Sequence, residues 1–190
     1  RLNKIRNKVD KKIIVGLIGH TYNNLKGIDT AIRAIGELKD EEIELQIVGR
    51  GEHEKYDKLA KILGVENKVK FLGPMKGGDE IFNWLDNIDI YIQPSRFEGL
   101  PRATIEAMSR GCPVISSNAG GLVDLIEDEF RVSADDYLSL AKKIKRLKDN
   151  LKLMELQSIR NFEKSKEFAP EVRIRKYDSF YGKIVNKKEN

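Results

Sequence analysis

The fold this sequence predicts is a doubly wound α/β domain, a parallel sheet wrapped by helices on both faces, with a helical C-terminal tail. Three observations carry that expectation. Short apolar runs of strand length alternate five times with amphipathic helical stretches, the pattern of successive βα units. The first run, KIIVGLIG at residues 12–19, is apolar nearly throughout, as a strand covered on both faces must be. Beyond about Asp135 the pattern is helical only.

Each element has a local reason. After the first strand and a polar loop, HTYNNLKG, the stretch IDTAIRAIGELKD places Ile28, Ala31, Ile32, Ile35 and Leu38 on one helical stripe. IELQIVG (43–49) is the next strand, and EHEKYDKLAKILG the next helix, with Gly64 as its stop. KVKFLG (68–73) predicts a third strand and DEIFNWLDN a short helix. DIYIQP (89–94) is a fourth strand that Pro94 ends, and LPRATIEAMSRG a helix with Pro101 at its first position and Gly111 past its end. PVISS (113–117) is the fifth strand, GGLVDLIED another short helix, and APEVRIRKYDSFYGKIV a terminal helix opening after Pro170. With no internal repeat or low-complexity linker, residues 1–190 read as one domain.

Composition removes several function classes. No apolar run approaches the roughly 18–20 residues of a membrane helix, and the start at Arg1 has no signal-peptide pattern. The single cysteine, Cys112, excludes an internal disulfide, fits a cytoplasmic setting and reads as a buried thiol. His20, His53 and Cys112 are too scattered for zinc, so no metal is expected. Net charge is +5, and KKIKRLK (142–148) is strongly basic. Leu140, Ile144, Leu147 and Leu151 accompany it at helical spacing, which predicts a core-facing stripe with a solvated basic back. Nucleic acid is not an expected partner.

In such sheets, ligands sit beyond the carboxyl ends of the strands, where helix N-termini point. Four loops qualify: 19–27, 49–53, 73–79 and 94–101. The first offers Gly19, Lys26 and Gly27 before a helix, a place for a diphosphate or merely a solvated lysine. GRGEHEK (49–55) lacks the third glycine of a dinucleotide loop and follows the wrong strand, although Arg50 is placed to touch a base or phosphate. The last loop carries the most chemistry. Glu98-Gly99-Leu100-Pro101 turns into a helix, and the N–H groups of Leu100, Arg102 and Ala103 are candidate free donors at its start. Glu106 follows further into the helix. Its spacing from Arg102 and Arg110 favours an exposed ion-pair row, so pattern alone leans toward a surface charge over a ligand contact.

Taken together, LKG before the first helix, IVGRGE, VKFLG and IYIQPSRFEGLPRATIEAMSRGCPVISSNAGG resemble the C-terminal, donor-binding half of GT-B-fold retaining glycosyltransferases of family 4, the glycosyl transferases group 1. The resemblance covers nearly the whole chain in order and spacing. It implies that Glu106 accepts hydrogen bonds from the nucleotide ribose and that Glu98 contacts the donor sugar near the reacting carbon. Backbone N–H groups at Gly99 and Leu100 would hold the diphosphate, and Lys26 would neutralise the leaving group without a metal or cofactor. Residues Phe71, Leu72 and Gly73 would pack against the base, and Ser95, Gly19, His20 and Arg50 complete the implied substrate-binding set. The chain departs from the family pattern at His20, where arginine is usual, at Pro101, where a second glycine is common, and at Asp124, where a glutamate is common.

The same resemblance implies a separate N-terminal domain for the acceptor, absent from these 190 residues. The expectation is therefore half of a cytoplasmic enzyme that moves a hexosyl group from a nucleoside diphosphate sugar to a glycan or lipid-linked acceptor, as in polysaccharide biosynthesis. Alone, this half would have little activity. Its basic tail suits an anionic membrane surface. The competing expectation is a non-catalytic nucleotide-sugar-binding or subunit-interaction module of the same fold. An epimerase would need added acid–base residues, and a receiver-like signalling domain an acidic cluster after the first strand, where GHTYNN has none.

Overall fold

The computed structural model describes residues 12–169, 171, 172 and 174. The expected terminal helix after Pro170 lies almost wholly outside the described residues. Six strands form the sheet: β1 (Ile13–Ile18), β2 (Ile43–Val48), β3 (Val69–Gly73), β4 (Ile90–Gln93), β5 (Val114–Ser117) and β6 (Arg131–Val132). They are parallel throughout, in the order β3-β2-β1-β4-β5-β6. The sixth strand was not expected; with only two residues it leaves no period to read.

The helices are α1 (Ile28–Gly36), α2 (Glu54–Ile62), α3 (Asp79–Asn87), α4 (Arg102–Ser109), α5 (Leu122–Leu125), α6 (Tyr137–Lys148) and α7 (Leu151–Ser165). Gly64 and Gly111 follow α2 and α4 with φ of 68° and 66°, the left-handed conformation expected of helix stops. Helix α1 packs against α2 and α6, while α4 packs against α7, so helices bury the sheet from two groups. Val15, Leu17, Leu45, Ile92 and Val114 are all fully buried, which is why these strands are apolar without alternation.

The tail does two jobs. In α6, Leu140, Ile144 and Leu147 are buried, while Lys145 and Lys148 ion-pair with Glu41 in the turn before β2. Hydrogen bonds from these two lysines hold the Glu41 carboxyl down at about 2. The basic run is a helix back, as its spacing predicts. In α7 the buried Gln157, Ser158 and Asn161 side chains donate to the carbonyls of Val114, Gly111 and Cys112 at 2.6, 2.5 and 2.8 Å. They satisfy the backbone leading into β5, a buried segment that would otherwise carry unpaired acceptors. Cys112 itself is buried, as expected.

The order places the switch point between β1 and β4. From there α1 leads toward β2 and α4 toward β5, and the chains separate. Pairing of β1 with β4 ends at Gly16 and Tyr91, whereas β1 stays paired with β2 as far as Ile18 and Val48. The crevice left at the carboxyl ends is where doubly wound sheets bind ligands.

Candidate active site

Two loops wall this crevice, and they are locked together. After β1, the Asn23 side chain accepts from the Leu25 N–H at 3.1 Å and caps a 3₁₀ turn over Asn24–Lys26. Gly27 closes the turn with φ 64°. A Cβ there would stand 2.0 Å from the Pro94 carbonyl oxygen, so only glycine lets the two loops approach this closely. From the β4 loop, the Arg96 N–H donates to the Leu25 carbonyl at 2.8 Å. Its guanidinium forks onto Asp29 of α1 at 3.0 and 2.7 Å, reaches Asp135 at 2.5 Å, and contacts the Asn24 carbonyl. Burial alone would raise the Asp29 carboxyl, but Arg96 outweighs it and holds the group below its ordinary range.

This framework brings Lys26 and Glu98 together. Lys26 Nζ lies 2.7 Å from Glu98 Oε1, and Glu98 is only 9 % exposed. Ser95 Oγ donates to the same oxygen at 2.7 Å and Gln93 Nε2 at 3.2 Å. Behind them, Tyr91 O–H donates to Gln93 Oε1 at 2.6 Å. Ser95, grouped in sequence with the substrate contacts, is fully buried beside Glu98 and is not among the residues lining the cleft.

The cleft has a volume of about 430 Å³, and its walls include Lys26, Gln93, Glu98, Leu100, Arg102 and Glu106. Glu106 faces it from the inner side of α4. Burial raises its carboxyl above the ordinary value, and the nearby Arg102 charge only partly offsets this. The ion-pair row that spacing allowed does not form. Arg110 turns to Asp86 of α3, with Nε 2.9 Å from Oδ1, and lies over the Phe82 ring. At the start of α4, the Arg102 N–H donates to the Leu100 carbonyl at 2.9 Å. Of the three donors expected from sequence, Arg102 is therefore occupied, and Leu100 and Ala103 remain.

The other expected residues are distributed around this centre. Gly99 and the 59 % exposed Leu100 stand at the mouth. Gly19 lies beneath Lys26; a Cβ there would come within 2.8 Å of Lys26 Cβ. His20 stacks on Tyr22, its Nδ1 is buried without a hydrogen-bond partner among the described residues, and it does not line the cleft. The Arg50 carbonyl accepts from the Thr21 N–H, and its loop borders a second hollow beside Tyr22. Phe71, Leu72 and Gly73 end the edge strand β3, outside the cleft, with Phe71 stacked on the His53 ring at 4.3 Å.

Sequence reasoning did not single out Tyr91, Gln93 or Arg96, nor the Gly120–Gly121 pair as a support. For Gln93 a signal existed: a polar residue ends an otherwise apolar strand just before the site loop. Gly120 has φ 49°, and a Cβ on it would sit 1.7 Å from the Glu98 carbonyl oxygen. Gly120→Ala is therefore expected to destabilise the domain by about 1–3 kcal/mol in urea unfolding, because the site loop must move. Gly77→Ala, where a Cβ meets nothing within 4 Å, is the control and should change little.

The sheet order, with a charged cleft at its switch point, defines a Rossmann-type α/β domain. The family model described as glycosyl transferases group 1 matches residues 12–150. Protein CapJ of Staphylococcus aureus is 41% identical over 140 residues, covering 73% of this chain and 36% of CapJ. Sucrose-phosphate synthase from Thermosynechococcus elongatus superposes with a TM-score of 0.81 at 21% identity, over 98% of this chain and 49% of that one. HepE of Anabaena, solved in complex with UDP and glucose, gives a TM-score of 0.79 at 22% identity, over 95% of this chain and 51% of that one. The chain belongs to the glycosyl transferases group 1 family and corresponds to the C-terminal half of the GT-B fold. It spans 36% of the length of CapJ and 49% of that of the synthase.

Proposed function

We propose that this domain is the donor-binding half of a retaining glycosyltransferase that moves a hexosyl group from a nucleoside diphosphate sugar to a glycan or lipid-linked acceptor. One observation carries the reading: Lys26, Glu98 and Glu106 arise from separate loops and a helix, yet line one cleft at the switch point. Glu106 takes the ribose hydroxyls, deep in the cleft. The Leu100 and Ala103 N–H groups, at the positive end of α4, take the diphosphate. Lys26 moves from Glu98 onto the leaving diphosphate, and Glu98 is then available to the sugar hydroxyls. Charge building on the leaving group is met by an ammonium and by fixed backbone donors, an arrangement that needs no metal. The acceptor is taken up by a second domain of the complete protein, on the cytoplasmic side, with the basic tail available to an anionic membrane surface.

The test is thermal unfolding of this chain with UDP, GDP and ADP, each alone. Nucleotide at about 100 times its dissociation constant stabilises by about 2.7 kcal/mol, a rise of several degrees for a domain of this size. One of the three is expected to give that rise and so name the base. If none does, the donor reading fails and a subunit-interaction module of the same fold takes its place.

A further inference from the structure

We infer that Gln93, working with Ser95 and backed by Tyr91, is a positioning residue that pins one oxygen of Glu98 and so presents the other to the donor sugar. This rests on the donor-site reading above and goes beyond it, since the role given to all three is exerted through Glu98.

The hydrogen bonds run in one direction. Tyr91 O–H donates to Gln93 Oε1 at 2.6 Å, which fixes the amide so that its NH₂ points the other way. Gln93 Nε2 donates to Ser95 Oγ at 2.7 Å and to Glu98 Oε1 at 3.2 Å. Ser95 O–H, with its acceptor side taken by Gln93, donates to Glu98 Oε1 at 2.7 Å. Lys26 adds a third approach, to the same oxygen at 2.7 Å. Among the described residues, every hydrogen bond to this carboxylate falls on Oε1. Oε2 is left to the cleft.

Burial makes the arrangement rigid. Tyr91 and Ser95 are fully buried and Gln93, at the cleft wall, is 2 % exposed, so the three are largely shielded from water. Burial also pushes the Tyr91 phenol well above its ordinary value, with the Glu98 charge adding to the effect, which keeps it a donor. A fully satisfied buried polar chain holds one geometry; a broken one leaves unpaired groups and lets the carboxylate turn. When Lys26 transfers to the diphosphate, Gln93 and Ser95 are what remain to hold Glu98 in place.

The experiment separates positioning from folding. For wild type, Gln93→Leu and Ser95→Ala, dissociation constants are measured by calorimetry for the matched pairs UDP and UDP-glucose, GDP and GDP-mannose, and ADP and ADP-glucose. The readout is the ratio of the nucleotide-sugar constant to the nucleotide constant. In both variants nucleotide affinity is expected to hold, because Glu106 and the α4 backbone are untouched. The ratio should rise about tenfold, the worth of a hydrogen bond to a charged group at its lower end. An unchanged ratio overturns the proposal, as does an equal loss for both members of a pair, which would mark a merely structural role. Ser95→Ala makes the smaller volume change and keeps the test alive if Gln93→Leu does not fold. If wild type binds none of the six, the donor-site reading and this inference fall together; if it binds and the ratio does not move, only this inference falls.

Discussion

Lys26→Ala in the complete enzyme is expected to lower kcat by about 10²–10³, the loss typical of removing one preorganised charge stabiliser from a developing anion. The effect should fall on kcat more than on KM, because the negative charge that Lys26 meets grows as the sugar–phosphate bond breaks. Among the described residues the other cation lining the cleft is Arg102, at the start of α4 beside Glu106, whereas Lys26 is the one that reaches Glu98. Arg96 is committed to Asp29, Asp135 and the Asn24 carbonyl, and His20 does not line the cleft. The control is stability. Removing Lys26 leaves the largely buried Glu98 with Ser95 and Gln93 as donors, so its charge keeps partners and the domain should still fold. Lys26→Arg, tested alongside, keeps the charge on a bulkier head and should recover part of the rate. Turnover at the wild-type level in Lys26→Ala, with unfolding midpoints matched, would remove Lys26 from the mechanism.

Most of the fold was legible because its determinants are local. Buried parallel strands must be apolar on both faces, and the five longer ones announce themselves; β6, with two residues, cannot. Topology nominated four loops after strands, and of these 19–27 and 94–101 line one cleft, with Lys26, Glu98 and, from the following helix, Glu106. Glu106 marks where pattern ran out. Its spacing favoured an ion-pair row with Arg102 and Arg110, and the row fails for a reason no one-dimensional pattern holds: Asp86, on a different helix, takes Arg110. The supports of the site were illegible for the same reason. Arg96 reaches Asp29 and Asp135 across 67 and 39 positions of sequence, and Gly120 lies under the Glu98 carbonyl only once β5 has returned beside β4. Ser95 entered as a substrate contact through the family resemblance, and its burial and its bond to Glu98 could be seen only in three dimensions.

Glu106→Gln is expected to weaken binding of the preferred nucleotide about ten- to hundredfold, the cost of losing hydrogen bonds to a charged acceptor, without destabilising the free domain. The sign follows from burial. The Glu106 carboxyl is raised above its ordinary value, so the folded state holds this proton more tightly than the unfolded chain does. Such an acid costs stability at neutral pH, and the cost is relieved as pH falls through the folded-state value. Free Glu106→Gln should therefore unfold at or above the wild-type temperature at pH 7, and the difference should vanish in acid, where the wild-type carboxyl is protonated in both states. Nucleotide binding should move the opposite way. The ribose hydroxyls need the ionised acceptor, so wild-type affinity should fall as pH drops through the raised value, while the variant stays weak and lacks that component. The phosphates of the nucleotide titrate too, but identically for both proteins, so the wild-type-to-variant ratio isolates Glu106. Calorimetric titrations at a series of pH values, with unfolding curves for the free proteins, measure both arms. A group that serves the ligand at the expense of the fold should give opposite signs in the two. Undiminished nucleotide affinity in Glu106→Gln would return this residue to the helix surface, where its spacing first allowed it to be.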